Sequence, residues 1–256
     1  MNGARASAVF AALLLAACAT TPSSLPAASP APTPSAGLPR ASPTTSPTTS
    51  PTETPLPAAL EGWSVLNGPA VEIEGGPDGV TVTLIRRALW FQDQRAVLIW
   101  MPVTGNFVIT ADVATSRASD PSQPPGADGR VELAGVMARA DGIRENYVFI
   151  VVGSDADGLS VETKSTTDNA SVFDGPAWDS GSASLMLCRN ESTFLLAKRP
   201  IASDQPWIPA TAYERSDMPA TLQVGLNIYS DSTPDLRAVF TNFEIRPLPA
   251  EGCPES

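Results

Sequence analysis

Apolar and polar residues alternate with a period of two through most of residues 59–256. In "VTVTLIR" at 80–86, Val80, Val82 and Leu84 alternate with threonines, and "TLQVGLNIYS" at 221–230 repeats the pattern. Successive side chains of a β-strand point to opposite faces of the sheet, so this pattern is typical of strands with one buried face. Further segments of this kind, separated by turn signals such as "GSDADG", are "NFVITADVATS", "VELAGVMAR", "NYVFIVVG", "GLSVETKST", "SLMLCRNE", "STFLLAKR" and "AVFTNFEI".

No long segment repeats its apolar residues with the 3.6-residue period of an amphipathic helix. A series of short strands without helices predicts an all-β fold, an antiparallel two-sheet β-sandwich or jelly roll, between about Leu60 and Pro247. This region holds the acidity of the chain, because residues 59–256 carry 14 basic and 26 acidic side chains. Such a surface repels phosphate groups, so nucleic acid is not an expected partner.

The first 18 residues have the pattern of a secretory signal peptide. Arg5 supplies the positive charge, and "AVFAALLLAA" is an apolar run too short to remain as a membrane span. The run ends in "LAAC", which resembles the lipobox of bacterial lipoproteins, where the cysteine thiol receives a diacylglyceryl group and begins the mature chain. The resemblance implies a lipid anchor on Cys18 and an extracytoplasmic location, at the cell membrane or the outer membrane. An ordinary signal peptide with an incidental cysteine is the alternative.

A linker separates this signal from the domain. Of the 40 residues from Ala19 to Ala58, 34 are Pro, Ser, Thr or Ala, and "SPTTSPTTSPTE" repeats a four-residue spacing. So few apolar side chains cannot offset the entropy of ordering, and frequent prolines favour extended conformations. The sequence therefore predicts a disordered, semi-rigid linker at 19–58 and one folded domain at 59–256.

The order of several motifs carries a family resemblance. "VTGNFVITADV", "AGVMARADGIRENYVFIVVG", "SLMLCRNESTFLLAKR", "DQPWIPATAYERSDMPATLQVGLNIYSDS" and "AVFTNFEI" follow one another between residues 63 and 246. This order resembles the concanavalin A-like lectin/glucanase jelly rolls, and among them the laminin G-like and regulation-of-enolase-like domains. The resemblance implies a two-sheet fold whose concave sheet carries any ligand, but no particular activity, because such folds host lectins, glycanases and inert modules.

Several kinds of catalysis are excluded by residue type. The chain has no histidine, which removes Ser-His-Asp and Cys-His nucleophilic machinery and histidine-containing zinc sites. The E-x-D-x-E strand of the related retaining β-glucanases is also missing. Glu72, Glu74, Glu132 and Glu162 are expected to be solvated strand carboxylates, so no catalytic residue is predicted.

Four residues are candidates for contact with a ligand: Arg139, Tyr147, Glu162 and Trp178. Aromatic rings stack on the apolar faces of sugars, and an arginine fork binds hydroxyl or acidic groups. The alternatives are a strand-end arginine at the core edge for Arg139 and core packing for Tyr147. Trp178 stands in a loop, whereas Trp207 is expected to pack.

Two cysteines, Cys188 and Cys253, remain once Cys18 is lipidated. An even pair in an exported domain suggests a disulfide, and a buried Cys188 with a free Cys253 is the alternative. Asp155 and Asp157 stand two apart as in calcium loops, but no glutamate follows at the twelfth position, so a hairpin turn is expected. No metal and no other cofactor is predicted.

Together these features favour a lipid-anchored, non-catalytic module that binds a carbohydrate or a partner protein of the cell envelope. Two alternatives stay open, a glycoside hydrolase of the concanavalin A-like class and a scaffold domain without a ligand. The membrane, reached through Cys18, is the one further partner predicted, and the oligomeric state is left open.

Overall fold

The structure is a computed structural model that describes residues 55–92, 94–126 and 130–254. The signal peptide, Cys18 and all but the last residues of the linker lie outside the described residues. Two short 3-10 turns, Ala58–Leu60 and Gly68–Ala70, accompany fourteen strands. The strands are β1 (Ser64–Leu66), β2 (Val71–Gly75), β3 (Gly79–Leu84), β4 (Val97–Thr104), β5 (Phe107–Arg117), β6 (Glu132–Arg139), β7 (Tyr147–Asp155), β8 (Gly158–Thr167), β9 (Ala170–Asp174), β10 (Ser182–Asn190), β11 (Thr193–Arg199), β12 (Ile208–Glu214), β13 (Thr221–Ser230) and β14 (Leu236–Pro247).

The strands form two antiparallel sheets of seven. Sheet 1 has the order β1-β4-β13-β6-β7-β8-β9, and sheet 2 has the order β12-β11-β10-β5-β14-β3-β2. The antiparallel two-sheet sandwich predicted from the alternation is therefore confirmed. Among the described residues no helix is long and apolar enough to cross a membrane.

Alternating residues from both sheets fill the space between them. Sheet 1 contributes Val136 of β6, Ile150 of β7 and Leu226 of β13, and sheet 2 contributes Leu185 of β10 and Phe240 of β14, all fully buried. The apolar residues of the period-two pattern thus form the inner face of each strand, and the hydrophobic effect holds that face against the opposite sheet.

Sheet 1 is buried on its outer face as well. All eight residues of β6 are buried, and β7 and β13 each leave only one terminal residue partly or fully exposed. The segment 85–96, between β3 and β4, lies over this outer face: Trp90 is buried there, and its Nε1 donates a hydrogen bond of 2.6 Å to Asn227 of β13. The outer face of the central strands β6, β7 and β13 is therefore part of the protein interior, whereas the edge strand β9 is exposed.

The C-terminal segment crosses the outer face of sheet 2. After β14 the backbone N–H of Leu248 donates to the carbonyl of Asn106, and Cys253 forms a disulfide with Cys188 of β10. The bridge lies in a small apolar cluster that includes Met186 and Trp207. The disulfide attaches the end of the chain to a central strand.

Candidate functional site

The structure places Arg139, Tyr147 and Glu162 on the same outer face of sheet 1. Arg139 and Tyr147 are direct partners in the β6–β7 register, and Glu162 of β8 stands opposite Val151 of β7. Only 1% of Arg139 and 1% of Tyr147 is exposed, and Glu162 is half-buried. The structure brings these three residues onto one face but covers that face with the segment 85–96.

Arg139 is held by a buried network. Its Nε and Nη2 donate to the carboxylate of Glu145 at 2.6 and 2.8 Å, and its Nη1 donates to Gln223 at 2.6 Å. Arg95 of the covering segment donates to the same carboxylate at 2.7 Å. The bidentate charged pair and the Gln223 contact hold the guanidinium in the interior, where only 1% of Arg139 is exposed, so it does not face a ligand in this arrangement.

An aromatic row runs beside this network. Tyr147 packs against Trp90 and stacks on Phe149, with ring centroids 5.4 and 5.6 Å apart, and Phe149 in turn contacts Tyr229. Burial raises the pKa of the Tyr147 phenol to about 12, so its hydroxyl stays protonated and can donate to the Trp90 carbonyl. These rings pack on one another and are buried, so neither Tyr147 nor Phe149 offers an open ring for stacking.

Two glutamates of sheet 1 differ from the expected solvated carboxylates. Glu132 is buried and accepts hydrogen bonds from the backbone N–H groups of Gly126 and Asp235, which corrects the expectation for this residue. Glu162 accepts a hydrogen bond of 2.9 Å from the Tyr229 hydroxyl, and burial raises the pKa of its carboxyl. Glu72 and Glu74 of β2 are exposed, as expected.

Trp178 lies apart from these residues, in the loop between β9 and β10. Its Nε1 donates to the carbonyl of Ser182, and the ammonium of Lys198 stands 4.8 Å from its ring centroid. Trp178 is partly buried against the core, and Lys198 is almost fully buried. The contact is a cation–π pair at the side of the sandwich.

An open cavity lies on the outer face of sheet 2. This groove has a volume of about 510 Å³, within the range of roughly 300–1,000 Å³ that is typical of small-molecule sites. Its polar and aromatic lining consists of Thr110, Asp112, Ser184, Arg199, Ser203, Asp204, Trp207, Asn242, Glu244 and Arg246. Pro254, directly after the bridged Cys253, closes one side.

One register row forms the centre of the groove. Asp112 of β5 pairs with Ser184 of β10, which pairs with Arg199 of β11, so alternation directs all three side chains to the outer face. The Ser184 hydroxyl donates to one carboxylate oxygen of Asp112, and Asn242 Nδ2 donates to the other at 2.9 Å. The carboxylate is thereby held in place and keeps unused lone pairs on both oxygens.

Asn242 reaches the groove through a β-bulge. The register between β14 and β5 shifts between Thr241 and Glu244, and Asn242 has a φ of 48°. Asparagine tolerates this left-handed conformation better than most residues. A bulge adds one residue to a strand and redirects a side chain, which here places Asn242 beside Asp112.

The guanidinium of Arg199 forms the opposite wall. Its carbon lies 4.4 Å from the Trp207 ring centroid, and its Nη1 donates to the carbonyl of Gln205 at 3.2 Å. Arg199 Nε is buried and has no hydrogen-bond partner among the described residues. The Nη2 group, which makes no hydrogen bond to a described residue and is not buried, is the donor of this wall that a ligand oxygen can reach.

None of the four ligand-contact candidates from the sequence, Arg139, Tyr147, Glu162 and Trp178, lines this groove. Trp207 was expected to pack, and it does contact the apolar cluster around the disulfide, but it also lines the cavity. One signal was present: in "AVFTNFEI" the apolar positions change phase between Phe240 and Phe243, which is the mark of a bulge in an otherwise alternating strand.

The arrangement suits hydrogen-bonding recognition. Among residues 55–92, 94–126 and 130–254, no three metal-ligating side chains lie close enough to hold an ion. Asp155 and Asp157 belong to the β7–β8 hairpin, where the Asp157 N–H donates to the Asp155 carboxylate.

Comparisons with known proteins bear on the fold. No family model and no curated protein matches the chain. Among solved structures, a functionally unknown protein from Saccharomyces cerevisiae is similar with a TM-score of 0.59 and 13% identity, over 75% of this chain and 99% of that one. The GH43 protein BlXynB of Bacillus licheniformis has a TM-score of 0.56 and 13% identity over 72% of this chain, and a xylan β-1,4-xylosidase of Bacillus halodurans has 0.50 and 13% over 65%.

This chain matches 36% and 32% of the length of those two bacterial proteins. At 13% identity these similarities support a shared β-sandwich fold. Function has to be argued from the site itself.

Proposed function

We propose that this protein is a non-catalytic carbohydrate-binding module, held outside the cytoplasm by a lipid anchor on Cys18. The groove on sheet 2 is the observation that carries the proposal. It combines carboxylates, an amide, hydroxyls and a guanidinium on rigid neighbouring strands, beside one tryptophan. Sugar hydroxyls both donate and accept hydrogen bonds, and a lining of mixed donors and acceptors matches them.

The fold and the composition support the same proposal. Two solved structures with a similar β-sandwich are a GH43 protein and a xylan β-1,4-xylosidase, although this chain matches about a third of each. The linker and lipobox seen in the sequence suit display of a binding domain away from a membrane surface. A protein of the cell envelope is the other partner that such a display would suit.

One observation favours a second candidate, a glycoside hydrolase. Asp112 and Glu244 line the same groove, and glycoside hydrolysis needs two carboxyl groups across a bond. Asp112, however, accepts hydrogen bonds from both Ser184 and Asn242, which suits a fixed binding group.

A glycan array with the full-length chain in mild detergent tests the proposal. We expect binding to at least one oligosaccharide, and at least a tenfold loss of affinity in Asp112→Ala. Asp78→Ala, an exposed turn residue that does not line the groove, is the matched control. Any oligosaccharide bound is then incubated with the protein and assayed for new reducing ends. New ends would favour the hydrolase, and no binding to any oligosaccharide would overturn the carbohydrate proposal.

A further inference from the structure

The charge of the groove limits the class of sugar that it can accept. Its lining includes two arginines, Arg199 and Arg246, and three carboxylates, Asp112, Asp204 and Glu244, a net charge of −1. The whole chain has a net charge of −11. An anionic ligand would meet like charges both in the groove and in the surrounding field, which lowers its affinity and its rate of association.

The hydrogen-bonding groups of the groove also disfavour an anionic ligand. Arg199 keeps an unused donor at Nη2, and the Asp112 carboxylate, which already accepts from Ser184 and Asn242, has lone pairs that can accept from further donors. A sugar hydroxyl accepts from the first and donates to the second. A ligand carboxylate or sulfate only accepts, so placed beside Asp112 or Glu244 it would displace water without supplying a donor to that carboxylate.

Arg199 has little freedom to turn towards an anion elsewhere. Its guanidinium stacks on Trp207 and is tied to the Gln205 carbonyl, and the Gln205 N–H in turn donates to the hydroxyl of Ser203. Arg246 has its nearest described carboxylate in Glu244, at 3.9 Å. The two arginines therefore act as single donors within a mixed lining, and not as a basic cluster that would bind an anion.

From these observations, and resting on the proposed carbohydrate function, we infer that the groove selects uncharged, hydroxyl-rich sugars and discriminates against uronic and sulfated ones. Arg199 serves as the donor to a sugar oxygen, and Asp112 as the acceptor from a sugar hydroxyl. The selectivity comes from the carboxylates of the groove, because they repel an anion. Arg199 contributes to the affinity for the sugar.

The test uses the full-length chain and matched probes that differ only at C6: glucan and glucuronan, galactan and galacturonan, mannan and mannuronan oligomers. We expect at least tenfold tighter binding of the neutral member of any pair that binds, with a smaller ratio at high salt because screening weakens the repulsion. Arg199→Lys is expected to lose roughly tenfold in affinity for the neutral probe, because a lysine lacks the planar guanidinium whose donors are fixed by stacking on Trp207.

The variant Asp112→Asn/Glu244→Gln removes two negative charges. It should improve binding of the acidic probe, and so lower the ratio of the affinity for the neutral probe to the affinity for the acidic probe. Glu72→Gln/Glu74→Gln, on exposed β2 positions outside the groove, is the charge-matched control and should leave the ratio unchanged. Equal or tighter binding of the acidic members would overturn the inference and leave the carbohydrate function standing. Absence of binding to all six probes and to a wider array would overturn the function, and with it the inference.

Discussion

The position of Arg139 in its strand was predictable from the sequence, and its partners were not. Its place at the end of an alternating strand was visible in the sequence, and so was the possibility that it lies at the core edge. The sequence did not show that Glu145, six residues later, would fold back to form a bidentate pair, or that Arg95 would join from another strand connection. Strand periodicity specifies the face of a residue, whereas its partners depend on loops that come from distant parts of the chain.

Glu162 leads to a prediction about pH. Burial raises the pKa of its carboxyl, against the opposing effects of the Tyr229 hydrogen bond and the charge of Lys164. The folded protein therefore binds this proton more tightly than the unfolded chain does. The stabilisation is fully present below the unfolded pKa, about 4.3, and is lost as the pH rises through the folded pKa.

Glu162→Gln does not titrate, and its amide oxygen can still accept from Tyr229. The melting temperature of Glu162→Gln minus that of the unmodified protein should therefore increase between about pH 4 and pH 7, as measured by circular dichroism. Glu72→Gln, exposed on β2, should show no such trend. A difference for Glu162→Gln that stays constant or falls over this range would contradict the raised pKa.

Strands were predictable where alternation was strong, and missed where it was not. All nine segments identified from their pattern are strands in the structure. The missed ones are β1, β4, β9 and β12, whereas β2 was expected only through its strand carboxylates Glu72 and Glu74. β4 and β12 each contain a proline, β1 has only three residues, and β9 is exposed along its whole length, so it lacks the buried face that produces alternation. These strands are set by pairing with neighbours, which a single segment does not encode.

The disulfide gives a prediction about the C-terminal segment. Cys188 and Cys253 close a loop with a sequence separation of 65 residues. In the chain-entropy account, a loop of this length is worth about 4 kcal/mol. Cys188→Ala/Cys253→Ala should therefore lower the melting temperature by on the order of 10 °C, since 1 kcal/mol shifts a domain of this size by roughly 2–4 °C.

The same variant should speed hydrogen exchange at the Leu248 amide, which donates to Asn106 beside the bridge. Cys18→Ser removes the third cysteine and leaves the bridge intact, so it should change neither quantity. Unchanged melting and exchange in the double variant would show that packing alone holds the segment against sheet 2.

The outer faces of the two sheets have different surroundings in the fold. Segment 85–96 covers the outer face of sheet 1, with Trp90 as its largest buried side chain, while sheet 2 keeps an open groove. The resemblance to concanavalin A-like domains implies that one sheet carries any ligand. The cavity lies on the outer face that the connecting loops leave uncovered. Which face stays open depends on the packing of connecting segments against the finished sandwich, so neither periodicity nor motif order could identify the groove.

The proposed anchor concerns the entire chain. "LAAC" followed by a 40-residue linker predicts a domain that stands off from a membrane, at a limiting distance of about 120 Å if the linker extends at about 3.1 Å per residue. Expressed in a bacterium, the unmodified chain should enter the detergent phase, and Cys18→Ser should shift to the aqueous phase, because it lacks the thiol that receives the lipid. Cys253→Ala removes a cysteine from the domain instead, and should stay with the detergent. A Cys18→Ser protein that still partitions into detergent would refute the anchor, while the fold and the groove of residues 55–254 would be unaffected.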